Sequence, residues 1–275
     1  MQARAFAKIN LGLVVGPERA DGKHEITTVL QRVDLHDSLE IERVEEPGSI
    51  VEGYAEDTIV RRALELLDAR KGERSGWRVR IQKQIPVAAG LGGGSSDAAA
   101  ALRTANELAR TPLAPEELHV IGAEVGTDVP FFLTPGAKLA TGDGTDLEPV
   151  SLPYGYWVVL ALPHGQRKAS TGAVYAAVDP VQAREFARRR RAFARALSAL
   201  EYPEQLAELP RNDLATAASA PIVAELTALG AFRADVSGAG PTVYGLFKTE
   251  DDARHAERTL QRAASTWRTR PVDGP

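Results

Sequence analysis

Hydrophobic and polar residues alternate along several stretches of the chain, and the clearest such stretch lies directly before a glycine-rich segment. Trp77, Val79 and Ile81 are separated by single polar residues, which is the period-2 pattern of a half-buried strand. Residues 97–110 contain no glycine or proline and are rich in alanine, a composition that favours a helix. The chain is therefore predicted to run from a strand, through a glycine-rich turn, into a helix.

The same two periodicities predict most of the other elements. Alternating apolar residues predict strands, and apolar residues three or four positions apart predict helices. Strands are predicted at 5–15, 26–30, 34–44 and 157–162 and after Pro241; helices are predicted at 57–67, 115–125, 184–200, 221–229 and 250–267, with a helix start at Asn212 and a turn at 47–49. Periodicity alone therefore predicts a mixture of helices and strands and leaves their arrangement open.

Length and composition are those of a globular protein with one large or two moderate domains. The chain has 275 residues, of which 44% are hydrophobic and 25% are charged, ordinary values for this class. Its net charge of −4 argues against nucleic acid as the main partner. It has no cysteine, which excludes disulfides and thiolate metal sites. Because no signal-peptide pattern or long apolar run is present, we expect a cytoplasmic protein with no membrane partner.

The glycine-rich segment is a candidate anion site. Its residues are Pro86, Val87, Ala88, Ala89, Gly90, Leu91, Gly92, Gly93, Gly94, Ser95 and Ser96. Glycines can adopt positive φ and let a ligand approach the main chain. Ser95 or Ser96 is predicted to cap the following helix, whose first N–H groups are free and whose N-terminus carries partial positive charge. This combination indicates a phosphate site, and a flexible turn without a ligand is the alternative.

Two common phosphate-binding motifs do not fit this segment. A P-loop requires a lysine directly before its final Ser or Thr, and no lysine lies between Lys83 and Lys138. A dinucleotide fingerprint requires an acidic residue about 20 positions further on, at the end of a second strand. Glu116 and Glu117 lie instead in a predicted helix. The segment therefore belongs to another class of phosphate loop, if it binds phosphate.

Polar residues elsewhere are candidates for chemistry, each with a plainer alternative. Lys8 and Asn10 lie two apart in a predicted strand and so share a face, where a lone lysine is usually solvated. Asp128 precedes an apolar run, so desolvation or a nearby cation would set its pKa; it could equally be a turn residue. His24 lies in a predicted turn, where a histidine commonly bonds its own backbone.

Four motifs resemble those of the GHMP kinases. Residues 86–96 match the second motif of that superfamily, Pro-x-x-x-Gly-Leu-Gly-x-x-Ser-Ser, and residues 238–242 resemble its third motif, Gly-x-Gly-Pro-(Thr/Ser). Residues 7–13 resemble the first motif of one branch, and the Asp-Gly-Lys-His-Glu turn at 21–25 follows soon after. The order and spacing are similar to those of the 4-diphosphocytidyl-2-C-methyl-D-erythritol kinases and span nearly the whole chain.

The resemblance implies a fold and an activity. The implied fold class is α+β, with an N-terminal domain like the second domain of ribosomal protein S5 and a ferredoxin-like C-terminal domain. Residues 1–150 would bind ATP and residues 151–275 would form the substrate domain. The implied reaction is phosphoryl transfer from ATP, with Mg²⁺, to the 2-hydroxyl of a substrate with a cytidine diphosphate moiety in non-mevalonate isoprenoid synthesis. We expect a monomer or weak homodimer.

The resemblance also implies roles for individual residues. Lys8 and Asp128 would be catalytic, and Ser96 is a candidate metal ligand. The implied substrate-binding residues are Asn10, Lys23, His24, Thr171, Tyr175, Gly238 and Gly240. Lys23 departs from the family pattern, which has an aromatic residue there. Two alternatives remain: a mevalonate-type or homoserine-type kinase of the same superfamily, and a non-catalytic nucleotide or sugar sensor with the same fold.

Overall fold

The computed structural model describes residues 1–54, 57–166, 170–178 and 181–274, and in these ranges it has ten strands and eight α-helices. The strands are β1 (Gln2–Glu18), β2 (His24–Val44), β3 (Gly48–Glu52), β4 (Gly76–Gln82), β5 (Ala137–Gly142), β6 (Asp146–Val150), β7 (Trp157–Pro163), β8 (Arg233–Val236), β9 (Val243–Phe247) and β10 (Ala264–Thr269). The helices are α1 (Ile59–Lys71), α2 (Gly93–Leu108), α3 (Pro115–Val125), α4 (Val129–Leu133), α5 (Thr171–Ala176), α6 (Ala183–Ser198), α7 (Ala220–Ala228) and α8 (Glu250–Leu260).

The first sheet contains six strands and is organised around β2. Its order is β3-β4-β2-β5-β6, and β1 pairs with β2 in an antiparallel register interrupted by irregularities. One long strand, β2, replaces the two strands predicted at 26–30 and 34–44. Helices α1 and α2 cover the sheet, and the alanines of α2 lie in this core with aliphatic side chains of β2, β4 and α1. Small side chains let a helix pack closely against a sheet, so the alanine run has a structural reason.

The second sheet has four strands in the order β10-β7-β9-β8, all antiparallel to their neighbours. Helices α7 and α8 connect β7 to β8 and β9 to β10, and their apolar residues form a core with β7, β8 and β9. This strand order and its two crossover helices form a ferredoxin-like arrangement. The continuous apolar run predicted as a strand is β7, whose residues 158–161 are fully buried, as expected for a central strand.

The two sheets also share a core. Apolar side chains of β1, including Ile9 and Leu11, lie in one buried cluster with Val158 and Leu160 of β7 and Phe193 of α6. Residues from both ends of the chain thus cover each other's apolar surface. The division at about residue 150 falls between the two sheets, and we keep it as a proposal.

Three local predictions were wrong, each where tertiary pairing overrides local preference. The helix predicted at 250–267 ends at Leu260, and residues 264–269 instead pair with β7 as β10. Residues 48 and 49 of the turn predicted at 47–49 belong instead to β3, which pairs in parallel with β4. Asn212 does not start a helix; its amide donates to the carbonyls of Val236 and Gly238.

Candidate active site

The candidate site is a cavity of about 980 Å³ between the two halves of the chain. Residues 86–95, the β1–β2 turn, residues 126–128, α5 and the loop after β8 line it. The lining therefore brings together the segments that the sequence singled out, although they lie far apart along the chain. Two expected residues do not line it: Ser96 and Gly240 lie behind their loops.

The glycine-rich loop leads directly into α2 without a side-chain cap. The N-cap is Gly92 with φ +73°, and α2 begins at Gly93, four residues before the predicted start. The predicted capping by Ser95 or Ser96 is therefore wrong, because both serines lie within the first helical turn. Ser95 lines the cavity, whereas Ser96 is only 2% exposed. The first N–H groups of α2 are thus left for an anion.

Lys8 and Asp128 meet at the edge of this loop. Lys8 Nζ lies 3.5 Å from the Asp128 carboxylate; the lysine side chain is 5% exposed and the aspartate 37%. The main chain of Lys8 is held by its N–H, which donates to the carbonyl of Leu91 at 2.9 Å. The structure therefore brings together the two residues implied to be catalytic and places them against the glycine-rich loop.

A chain of buried hydrogen bonds orients the Lys8 ammonium. Lys8 Nζ donates to Asn10 Oδ1 at 2.7 Å, and Asn10 Nδ2 donates to Thr28 Oγ1 at 2.9 Å. Thr28 in turn donates to the carbonyl of Gly12 at 2.6 Å. Because the Thr28 hydroxyl proton goes to Gly12, the hydroxyl accepts from Asn10, which directs the Asn10 amide oxygen at Lys8.

The β1–β2 turn and α5 form the other end of the cavity. The rings of His24 and Tyr175 are stacked with centroids 5.8 Å apart, and His24 Nδ1 lies 3.0 Å from the Gly16 carbonyl. Lys23 forms an ion pair with Asp143 at 2.5 Å. Burial opposes charge on Asp143, but hydrogen bonds from Lys23 and Thr145 outweigh it and lower the pKa of the carboxyl. Thr171 also lines this end.

Beside α2, one lysine forms ion pairs with two buried carboxylates. Lys83 Nζ lies 2.5 Å from Asp37 and 2.7 Å from Asp97, whose side chains are 0% and 2% exposed. Burial, and then repulsion from Asp37, raises the pKa of Asp97 to about 8. Burial opposes charge on Lys83, but attraction to Asp97 and Asp37 outweighs it and raises the lysine pKa. The group therefore holds the end of β4 against the start of α2.

The loop after β8 contacts the main chain of the glycine-rich loop through two hydrogen bonds. Ser237 Oγ donates to the carbonyl of Gly90 at 3.0 Å, and Thr242 N donates to that of Ala89 at 3.2 Å. A Cβ on Gly90 would lie 2.3 Å from the Ser237 carbonyl oxygen, so only glycine fits there. Gly238 lines the cavity, and Asn212 holds its carbonyl at 2.7 Å.

Sequence reasoning missed several residues at the site. Lys83 follows β4 and lines the cavity, and its position directly before the glycine-rich loop was an available signal. Asp143 and Thr28 matter only through partners distant in sequence, Lys23 and Asn10. No local pattern indicated those partners.

Comparison with known proteins identifies the family. Residues 58–136 match the family model of the GHMP kinases N terminal domain, and residues 183–266 match that of GHMP kinases C terminal. The 4-diphosphocytidyl-2-C-methyl-D-erythritol kinase of Pelotomaculum thermopropionicum is 40% identical over 273 residues, which cover 94% of this chain and 93% of that protein. The chain belongs to this family of GHMP kinases.

Solved structures of GHMP kinases have the same fold. A crystal structure of 4-(cytidine 5'-diphospho)-2C-methyl-D-erythritol kinase has a TM-score of 0.81 and 32% identity, covering all of both chains. The homoserine kinase of Cytophaga hutchinsonii has a TM-score of 0.78 at 14% identity, covering 99% of this chain and 96% of that one. The second likeness shows the fold alone. The expected α+β GHMP kinase fold is confirmed.

Membrane spans and clustered metal ligands are two further features. Across the described ranges of the chain, no helix is both long and apolar enough to span a bilayer. In the same ranges, no three histidine, aspartate or glutamate side chains gather into a group that could hold a metal ion.

Proposed function

We propose that this chain is an ATP-dependent kinase that phosphorylates the 2-hydroxyl of 4-diphosphocytidyl-2-C-methyl-D-erythritol, in the non-mevalonate route to isoprenoid precursors. One observation carries the proposal: Lys8 and Asp128 lie 3.5 Å apart beside a glycine-rich loop that opens into a large cavity. The 40% identity to a relative of that name over 94% of this chain supports this substrate.

The loop and α2 are proposed to hold the triphosphate. Residues 86–95 line the cavity, and they include the first residues of α2, whose main-chain N–H groups have no partners within the helix. Phosphoryl transfer depends on in-line positioning and on neutralising charge spread over the phosphate oxygens. A helix N-terminus next to glycines supplies both rigid donors and partial positive charge.

Asp128 is proposed to accept the proton of the attacking hydroxyl. The substrate oxygen then bonds to the γ-phosphorus as the bond to the ADP oxygen breaks, and the proton remains on the Asp128 carboxylate. Lys8, held by Asn10 at 2.7 Å, places its positive charge beside Asp128 and steadies the reacting oxygens. The 37% exposure of Asp128 leaves it reachable from the cavity.

Mg²⁺ is proposed to bind with the nucleotide, where it would neutralise phosphate charge. Mg²⁺ prefers hard oxygen ligands and is usually held by substrate phosphates with one or two protein groups. Ser95 lines the cavity and offers such an oxygen. The residues present therefore fit Mg²⁺, with Ser95 rather than the expected Ser96 as the serine ligand.

The base and diphosphate are proposed to bind between the β1–β2 turn and α5. His24, Lys23, Thr171 and Tyr175 line that end of the cavity. The stacked His24 and Tyr175 rings provide aromatic surface, and Lys23, ion-paired with Asp143, provides N–H donors. Residues 1–150 would thus contribute the ATP site, and residues 151–275 would complete the substrate site through α5 and Gly238.

A coupled assay of ADP release tests the proposal. We expect turnover with ATP and 4-diphosphocytidyl-2-C-methyl-D-erythritol, and none with mevalonate or homoserine. Turnover with either of those alcohols instead would establish the rival kinase assignment. Nucleotide binding without turnover of any of the three would support the sensor.

Asp128→Asn tests the assigned base. We expect kcat to fall by about 10²-fold or more because the general base is lost, while KM for ATP stays near that of the unmodified chain. Asp251→Asn is the matched control, since Asp251 is 89% exposed and lies outside the cavity. Unchanged turnover in Asp128→Asn would remove this residue from the mechanism.

A further inference from the structure

A fully buried arginine lies behind the proposed catalytic residues. Arg32, on β2, is 1% exposed. Its guanidinium donates to three main-chain carbonyls: Nη1 to Gly136 at 3.0 Å, and Nη2 to Thr134 at 2.5 Å and to Phe131. Burial, and then repulsion from Arg103, lowers the pKa of Arg32 to about 10, so the group remains charged near neutral pH. A buried guanidinium that donates to several fixed acceptors is a rigid connection.

Those carbonyls belong to the end of α4 and the residues after it. Helix α4 is five residues long, Val129–Leu133, and Asp128 is its N-cap residue. The last carbonyls of a helix have no partners within it, and a cation there is favourable. Arg32 also lies 4.3 Å from the centroid of the Phe131 ring. So short a helix is not stable by itself, and Arg32 holds it in place.

Arg32 lies on β2, which pairs with β1, the strand that carries Lys8. In the antiparallel register of β1 and β2, Arg32 is the residue paired with Lys8. Arg32 therefore joins the sheet at the level of Lys8 to the helix that begins after Asp128.

Helix α4 also contacts the glycine-rich loop. A Cβ on Gly92 would lie 2.9 Å from the Phe132 ring and 3.1 Å from Lys8 Cγ, so these groups are packed together with no spare room. Displacement of α4 would move Phe132 away from the loop as well as Asp128 away from Lys8.

We propose that Arg32 is a positioning residue that holds α4 so that Asp128 stays beside Lys8 at the glycine-rich loop. The proposal rests on the proposed function, because it assigns Asp128 as the group through which Arg32 acts. Nothing in the local sequence around Arg32 indicates this role, since its partners lie about one hundred positions away.

Arg32→Met removes the donors and keeps much of the apolar stem. We expect kcat to fall by about 10- to 100-fold, because a displacement of about 1 Å in a catalytic group can cost about 100-fold. KM for ATP and for the cytidine diphosphate substrate should change by less than about threefold. A loss of folded protein alone would instead lower the active fraction, which circular dichroism and active-site titration measure separately.

A double-mutant cycle with Asp128→Asn separates positioning from general stability. If Arg32 acts through Asp128, Arg32→Met lowers kcat little further once Asp128 is Asn. Arg233→Met is the matched control, because Arg233 is 2% exposed and also donates to three carbonyls, those of Leu206, Leu209 and Pro210. We expect Arg233→Met to lower the melting temperature and to show no such coupling with Asp128→Asn.

Several outcomes would overturn the proposal. An unchanged kcat in folded Arg32→Met would do so, as would an equal fall in both backgrounds of the cycle. If Arg32→Met does not fold, Arg32→Lys replaces it in the same cycle. Because one ammonium reaches fewer of the carbonyls than a guanidinium, we expect a smaller fall in kcat that is still coupled to Asp128→Asn. Full turnover in Arg32→Lys would refute the role. Absence of turnover in the unmodified chain would instead refute the proposed function, and with it this inference.

Discussion

Lys83 carries one positive charge and contacts two buried carboxylates, those of Asp37 and Asp97. One ammonium cannot neutralise two carboxylates, and the excess negative charge is costly where water is excluded. Burial, and then repulsion from Asp37, raises the pKa of Asp97 to about 8. The folded chain therefore takes up a proton at this position that the unfolded chain releases at much lower pH.

Asp97→Asn should change how stability depends on pH. Between about pH 4 and pH 8 the folded chain holds the Asp97 proton and the unfolded chain does not, so this group makes stability fall as pH rises. Asparagine cannot ionise, so the free energy of unfolding of the variant minus that of the unmodified chain should increase over this range. Denaturant unfolding at pH 5, 6, 7 and 8 measures it, and a difference that is constant with pH would contradict the assignment.

His24→Ala should affect the substrate and not the nucleotide. The His24 ring stacks on Tyr175 at the end of the cavity away from the glycine-rich loop. We expect KM for the cytidine diphosphate substrate to rise by about tenfold, the value of one aromatic contact of about 1.4 kcal/mol, with KM for ATP unchanged. His164→Ala is the control, because His164 is exposed and outside the cavity. Equal rises in both KM values would place the base elsewhere.

At the scale of elements, the decisive junction is the one between the glycine-rich loop and α2. Gly92 has φ +73° and ends the loop, and α2 follows at once. The strand, loop and helix were predicted from their local pattern, because alternation, glycine content and alanine content are all properties of neighbouring residues. The start of α2 was placed too late, because Gly93 and Gly94 adopt helical geometry that their propensity disfavours.

Gly92→Ala tests this junction. The substitution strains a left-handed residue by about 1 kcal/mol and puts a Cβ 2.9 Å from the Phe132 ring. We expect kcat to fall and KM for ATP to rise, each by about tenfold or more, because the loop must shift. Gly72→Ala, at the C-cap of α1 with φ +64° and open space around it, should cost similar stability with no kinetic effect. Equal kcat and KM values in Gly92→Ala and Gly72→Ala would show that the close packing of Gly92 against Phe132 does not affect catalysis.

At the scale of the whole molecule, the two sheets depend on each other. Ile9 and Leu11 of the first sheet lie in one buried cluster with Val158 and Leu160 of the second. The sequence predicted the segments of this arrangement and not their partners. Lys83 and Asp37 are 46 positions apart, and Lys23 and Asp143 are 120 apart. Such pairs depend on the fold. Local periodicity predicts the elements but not their arrangement, and the fold was predicted from the family motifs.

Separation of the halves should unfold the first one. Residues 1–150 alone would expose the apolar face of β1 that β7 and α6 cover, at a cost of about 25 cal/mol per Å². We expect this fragment to show no cooperative thermal transition and to regain one when mixed with residues 151–275. A fragment 1–150 with a sharp transition close to that of the full chain would show that the halves are independent.

The close contact of the glycine-rich loop with the loop after β8 has a further consequence. The Gly90 carbonyl accepts from Ser237 Oγ and the Ala89 carbonyl accepts from Thr242 N, so a shift of either loop disturbs the other. A molecule that immobilises the glycine-rich loop would therefore also slow amide hydrogen exchange in the loop after β8. Because such coupling is reciprocal, a molecule bound at the loop after β8 would also favour binding at the glycine-rich loop. The contact thus allows ATP and the cytidine diphosphate substrate to bind cooperatively without any intervening group of residues.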